Sequence, residues 1–165
     1  MALLRKPYIY IIIGISLVVV IIFFSGIFNP EQFGLVLIVS PMSSSIQMGK
    51  NTTISALIEN TATQKQTYEF HIVYTSTNLS YYNGITKEPL LHPEYNGINY
   101  TIIYLNDTLG PTENAEFPII IEGYLPLGVS SKRYTIFLEI YAVENTSKFL
   151  SDRKSISLTV THVPP

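Results

Sequence analysis

The sequence predicts an all-β domain, an antiparallel sandwich, standing behind a single transmembrane helix. Three observations carry this reading. Residues 8–28, "YIYIIIGISLVVVIIFFSGIF", hold no charge and follow "RKP". From residue 34 onward apolar residues recur at every second position, in short runs broken by turn residues. No segment after residue 30 repeats its apolar residues at the helical period.

The apolar run comes first. As a helix it spans roughly 31 Å, which matches a hydrocarbon core of about 30 Å. A cleaved secretion signal has a shorter apolar run and small residues before its cut site. Here Phe23 and Phe24 stand where those small residues belong. Arg5 and Lys6 precede the run, and Glu31 is the first charge after it. Positive charge stays inside, so residues 1–7 are expected in the cytoplasm, 8–28 in membrane lipid, 29–33 as a linker and 34–163 outside the cell membrane. The protein is then single-pass.

The strands follow in order. "GLVLIVS" (34–40) is apolar and ends at Pro41. "TTISALIEN" (52–60) alternates Ile54, Ala56 and Ile58, and "TYEFHIVYT" (67–75) alternates Tyr68, Phe70, Ile72 and Tyr74. "INYTIIYLN" (98–106) begins after Asn96-Gly97, a strong hairpin signal. "AEFPIIIEG" (115–123) carries Pro118, which suggests an edge strand or a bulge. "RYTIFLEIYAV" (133–143) alternates Tyr134, Ile136, Leu138 and Ile140, and "SISLTVTHV" (155–163) alternates Ile156, Leu158 and Val160. About seven strands is the count of an Ig-like β-sandwich. Tyr134, placed after "LPLGVSSKR", reads either as a corner tyrosine tied back to the loop or as a plain core residue.

Composition narrows the function. With Arg5 and Lys6 set aside, eight Lys and Arg face twelve Asp and Glu, so no basic face for nucleic acid is expected. There is no Cys, which excludes disulfides, thiolate zinc and blue copper. His71, His92 and His162 lack metal-ligand spacing, and His71 falls on the strand face opposite Phe70 and Ile72. Serine nucleophiles have no G-x-S-x-G setting, and phosphate-binding glycine loops are missing. Glu88 and Glu94 share a loop and could form an acid–base pair, but they read first as solvated charges. The expectation is a non-enzyme with no cofactor and no metal.

Two features point to binding. The segment 78–97, "NLSYYNGITKEPLLHPEYNG", exceeds the dozen or so residues of a routine connection, although a short extra strand would fit within it. Tyr81, Tyr82 and Tyr95 with Leu90 and Leu91 offer aromatic and apolar contact area to a partner; alternatively they cap the open end of the sandwich. The second feature is five N-x-Ser/Thr triplets, at Asn51, Asn78, Asn99, Asn106 and Asn145, all after the helix. One such triplet is an ordinary turn residue, but five on an outward segment favour N-glycans. Asn78, Asn106 and Asn145 read as turns, and Asn99 lies near a strand start.

"IENTATQKQTYEFHI", "GPTENAEFPIII" and the "LPLG…YTIFLEIY" corner, set behind one anchor, resemble archaeal cell-envelope proteins with an Ig-like outer domain. The resemblance spans most of 35–160 and implies an envelope protein of a glycosylating archaeon, with no catalytic residue. The chain is also similar to the outer sandwich of archaellum accessory proteins, though Pro7 after the basic pair departs from their N-terminus. The expected function is a membrane-anchored scaffold whose sandwich contacts another envelope or membrane protein. Two rivals stand beside it: an accessory subunit of a membrane oxidoreductase complex whose redox centre lies on a partner, and a surface-layer or filament-stator contact protein.

Overall fold

The computed structural model describes residues 34–90 and 93–162. The expected segments 1–7, 8–28 and 29–33 lie outside the described residues, as do Leu91 and His92. Among the described residues no helix is long and apolar enough to cross a membrane.

Ten strands form two sheets. They are β1 (Leu35–Ser40), β2 (Ser43–Gln47), β3 (Asn51–Asn60), β4 (Gln66–Tyr74), β5 (Leu79–Asn83), β6 (Glu94–Tyr95), β7 (Tyr100–Leu109), β8 (Asn114–Gly123), β9 (Ser131–Glu144) and β10 (Ser147–Thr161). One sheet has the order β1-β3-β8-β5 and the other β2-β10-β9-β4-β7-β6. All neighbours are antiparallel except β2, which lies parallel to β10 with Ile46 beside Val160. Without β2, β6 and β7, these are the two sheets of a seven-stranded Ig-like sandwich.

The core follows from alternation. Leu35, Leu37, Ile54, Ala56, Ile58, Ile119 and Ile121 face Phe70, Ile72, Ile136, Leu138, Ile140, Ile156 and Leu158, all buried. Side chains two apart share a face, so each run delivers one apolar row to the space between the sheets. Tyr134 takes both expected roles: it is buried, and its hydroxyl donates to the Tyr124 carbonyl, ten residues back, at 2.7 Å.

Three expectations are corrected. The run at 98–106 becomes β7, which reaches Leu109 and pairs with the edge of β4 as an addition to the seven. The missing member is β5, the short extra strand for which the stretch 78–97 left room, and it pairs with β8. Pro118 does not mark an edge strand, because β8 lies between β3 and β5. It stands one residue beyond the last β5 pair, Asn83–Ile119, and its carbonyl accepts the Gly84 N–H at 2.8 Å. The nitrogen and carbonyl of one strand residue point the same way, so the proline's missing N–H faces Gly84 at the final rung of the β5 side and leaves the β3 ladder intact. The final strand begins at Ser147 rather than 155, because a register shift between Leu150 and Asp152 reverses the alternation and hides its first half.

β2 left little trace in the sequence. "SSSIQ" contains one apolar residue, Ile46, and its place is decided by pairing with β10.

Candidate functional site

Tyrosine rings run outward from the core beside β5. Tyr81 alternates inward with Leu79 and is 2% exposed, so it belongs to the core and is not a free contact residue. Its ring lies 4.7 Å from Tyr74, Tyr74 lies 5.5 Å from Tyr100, and Tyr100 lies 4.7 Å from Tyr95. Tyr95 ends the series at 59% exposure. The β6–β7 hairpin sets this end: the Asn96 side-chain oxygen accepts the backbone N–H groups of Ile98 (3.1 Å) and Asn99 (2.8 Å), and Gly97 takes φ 90°. The Tyr95 hydroxyl donates to the Gly97 carbonyl at 2.8 Å, which fixes the ring. Ile98, at 76% exposure, projects from the same hairpin.

The remaining expected contact residues divide. Tyr82 is half-buried on the outer face of the β1-β3-β8-β5 sheet, where its hydroxyl donates to Glu122 at 3.0 Å. That bond, then burial and the Glu122 charge, raise its pKa. Leu90 donates its N–H to the Tyr81 carbonyl at 2.8 Å and packs on the core. With Tyr74, Leu79, Ser80, Tyr81, Tyr82 and Pro89 it lines a depression of about 320 Å³ at the β5 edge. Burial, then the neighbouring Tyr74, pushes the Tyr81 hydroxyl well above its usual range.

A second cluster occupies the outward face of β4, β9 and β10. His71 does lie opposite Phe70 and Ile72, and it is buried there. Its Nε2 lies 2.9 Å from Glu69 Oε2, which also takes Lys148 Nζ at 2.7 Å. The His71 ring packs 4.7 Å from Tyr141, whose hydroxyl donates to Glu139 at 2.7 Å. Arg153 Nε reaches Glu139 at 3.1 Å while its guanidinium covers the Phe137 ring at 3.8 Å. Burial alone would raise the Glu69 carboxyl, but hydrogen bonds and charge from Lys148 and His71 outweigh it and hold the pKa low. Tyr141 is pushed up to about 12 by burial, then by the Glu139 hydrogen bond and charge, against Arg153. Charged residues at the outward phase of two strongly alternating strands, Glu69 and Glu139, are the sequence signal for this cluster. Each carboxylate has basic and hydrogen-bonding neighbours, which makes the cluster a paired polar cover over the sheet. Among the described residues no group of His, Asp and Glu gathers to hold a metal.

Of the five triplet asparagines, Asn51, Asn106 and Asn145 are exposed, and Asn78 and Asn99 are half-buried. Asn145 sits in the β9–β10 turn and Asn78 in the β4–β5 turn. Asn106 is not in a turn, because β7 continues past it.

No protein family matches the sequence, and no curated protein matches it. Solved structures do. AvmM, described as catalysing macrocyclization in alchivemycin A biosynthesis, aligns at 10% identity and a TM-score of 0.56, over 81% of this chain and 92% of that one. What the two share is the fold. The seventh ScaB type I cohesin of Pseudobacteroides cellulosolvens aligns at 10% identity and a TM-score of 0.45, over 79% of this chain and 94% of that one. A chain of a type I cohesin–dockerin complex from Clostridium thermocellum aligns at 11% identity and a TM-score of 0.45, over 80% and 96%.

Proposed function

We propose that this chain is a non-enzymatic binding protein of the cell envelope, held in the membrane by residues 8–28, with residues 1–7 cytoplasmic and the sandwich outside. The sandwich engages another envelope or membrane protein at the β6–β7 hairpin, and the exposed triplets at Asn106 and Asn145 carry N-glycans. The observation that carries the binding surface is the tyrosine series ending at Tyr95. An exposed ring stacked on half-buried and buried rings, with its hydroxyl already tied to Gly97, has little freedom left to lose. Rigid aromatic side chains of this kind make strong contact points, because ordering costs otherwise subtract from affinity. The mutual pairing of Glu69, His71, Glu139 and Arg153 supports the non-enzymatic reading.

The test is co-purification of the full chain in mild detergent, with mass spectrometry of what travels with it. Tyr95→Ser combined with Ile98→Ser should release the partner and leave the melting temperature nearly unchanged. Tyr81→Ser should instead cost about 3–5 kcal/mol of stability. A partner retained by the Tyr95 and Ile98 variant would rule out this surface.

A further inference from the structure

The end of the sandwich opposite Gly34 carries a different surface. β8 leaves the core at Gly123 and β9 begins at Ser131, and the connection "YLPLGVS" contains no charged residue. The Val129 N–H bonds the Pro126 carbonyl at 3.1 Å and Gly128 takes φ 79°, a conformation that a Cβ would strain. The turn this closes has Leu127 at its tip, fully exposed at 105%. Tyr124 and Val129 are exposed beside it. Met48, exposed in the β2–β3 turn, belongs to the same end: its N–H bonds the Thr161 carbonyl at 2.9 Å, and Gly49 N–H bonds the Gly123 carbonyl at 3.0 Å.

Three cations stand in the segments that meet at this end. Lys50 follows the Met48 turn, Arg133 is exposed near the start of β9, and Lys132 lies with Nζ 5.0 Å from the Tyr134 ring centre. Glu122, the carboxylate that precedes the connection, accepts hydrogen bonds from the Tyr82 and Tyr124 hydroxyls.

We propose that this end docks on an anionic lipid surface, with Leu127, Val129 and Met48 entering the acyl boundary and Lys50, Lys132 and Arg133 meeting the headgroups. Apolar residues with basic ones on neighbouring segments suit interfacial membrane contact, and tyrosine is at home at headgroup depth. The tip is convex. A protein partner would have to offer a matching cavity, whereas a fluid bilayer accommodates the tip without one. Charge complementarity selects the lipid, since each cation near an anionic surface favours binding by about fivefold. This surface uses residues other than those around Tyr95.

The experiment places the full chain in nanodiscs of phosphatidylcholine and adds sucrose-loaded vesicles, of phosphatidylcholine alone or rich in phosphatidylglycerol. Nanodiscs should sediment with the anionic vesicles, less so in high salt, and hardly with the neutral ones. Leu127→Ser with Val129→Ser should weaken this by about tenfold or more at an unchanged melting temperature. Lys132→Ser with Arg133→Ser should weaken it by a similar factor. Absence of sedimentation, equal sedimentation by the variants, or clustering of nanodiscs without vesicles would each overturn the proposal. A chain that stays out of nanodiscs refutes the anchor instead, and it then enters the same vesicle assay as a soluble protein.

Discussion

Leu37 donates its backbone N–H to Asp152 Oδ2 at 2.9 Å, across 115 residues of sequence. One position earlier on β10, the Ser151 hydroxyl donates to the Leu35 carbonyl at 2.9 Å. β1 is the outermost strand of its sheet, and it has no charged residue. Such an edge invites pairing with another chain. The register shift in β10 turns Ser151 and Asp152 onto this edge, where their side chains take the place of a neighbouring strand.

Asp152→Ala should therefore cost about 1–3 kcal/mol in urea unfolding and increase light scattering on storage, because an edge donor loses its partner. Asp152→Asn keeps an acceptor for Leu37 while giving up the Lys154 ion pair, and it should retain most of the stability. Equal losses in both variants would assign the effect to Lys154.

Asn60 closes the β3 end. It is 1% exposed, and its amide donates to the carbonyls of Gln64 (2.8 Å), Leu109 (3.1 Å) and Gly110 (2.9 Å) while its oxygen accepts the Ala62 N–H at 3.0 Å. A carboxylate here cannot donate and would face three carbonyl oxygens. Asn60→Asp should lose roughly 3 kcal/mol or more at neutral pH, and part of this should return on acidification as the carboxyl protonates. A pH-independent loss would contradict this account.

Two tyrosine hydroxyls provide a matched pair. Tyr134→Phe breaks the bond to Tyr124 and should cost about 1 kcal/mol. Tyr68 is buried, and among the described residues its hydroxyl has no hydrogen-bond partner, so Tyr68→Phe should be neutral or slightly stabilising. Burial, then Asp107, pushes the Tyr68 pKa up to about 12. The unfolded chain ionises this group near 10 while the fold still resists, so stability should fall as pH rises from about 10 toward 12. Tyr68→Phe should flatten that fall, and an unchanged alkaline slope would count against the assignment.

Glu69 works at the other extreme. Its pKa is lower in the fold than in the open chain, so its contribution is present above the ordinary carboxylate value of about 4.3 and is lost as pH falls below it. Urea midpoints followed from neutral to acidic pH should drop more steeply for the wild type than for Glu69→Gln. Parallel curves would remove Glu69 from the acid response.

Alternation alone located β1, β3, β4, β8 and β9 to within two residues, because burial of one face writes a period of two into any strand with enough apolar residues. It also put His71 on the outward face. The hairpin at Asn96-Gly97 was legible for a local reason: the Asn96 side chain and Gly97 backbone make the turn by themselves. The absence of cysteine, the apolar run at 8–28 and the five triplets are likewise properties of the chain and need no fold.

Tertiary structure decided the rest. β2 and β5 are too short or too polar to carry a period, and they exist because β10 and β8 offer them edges. Tyr81 and Tyr95 look alike in the sequence, yet one points into the core and the other ends a stack at the surface, a difference set by which edge each strand joins. The pairing of Glu69 with Lys148 and of Leu37 with Asp152 joins residues far apart in the chain. No local pattern encodes such pairs, because the register between strands brings them together only after the sheets have formed.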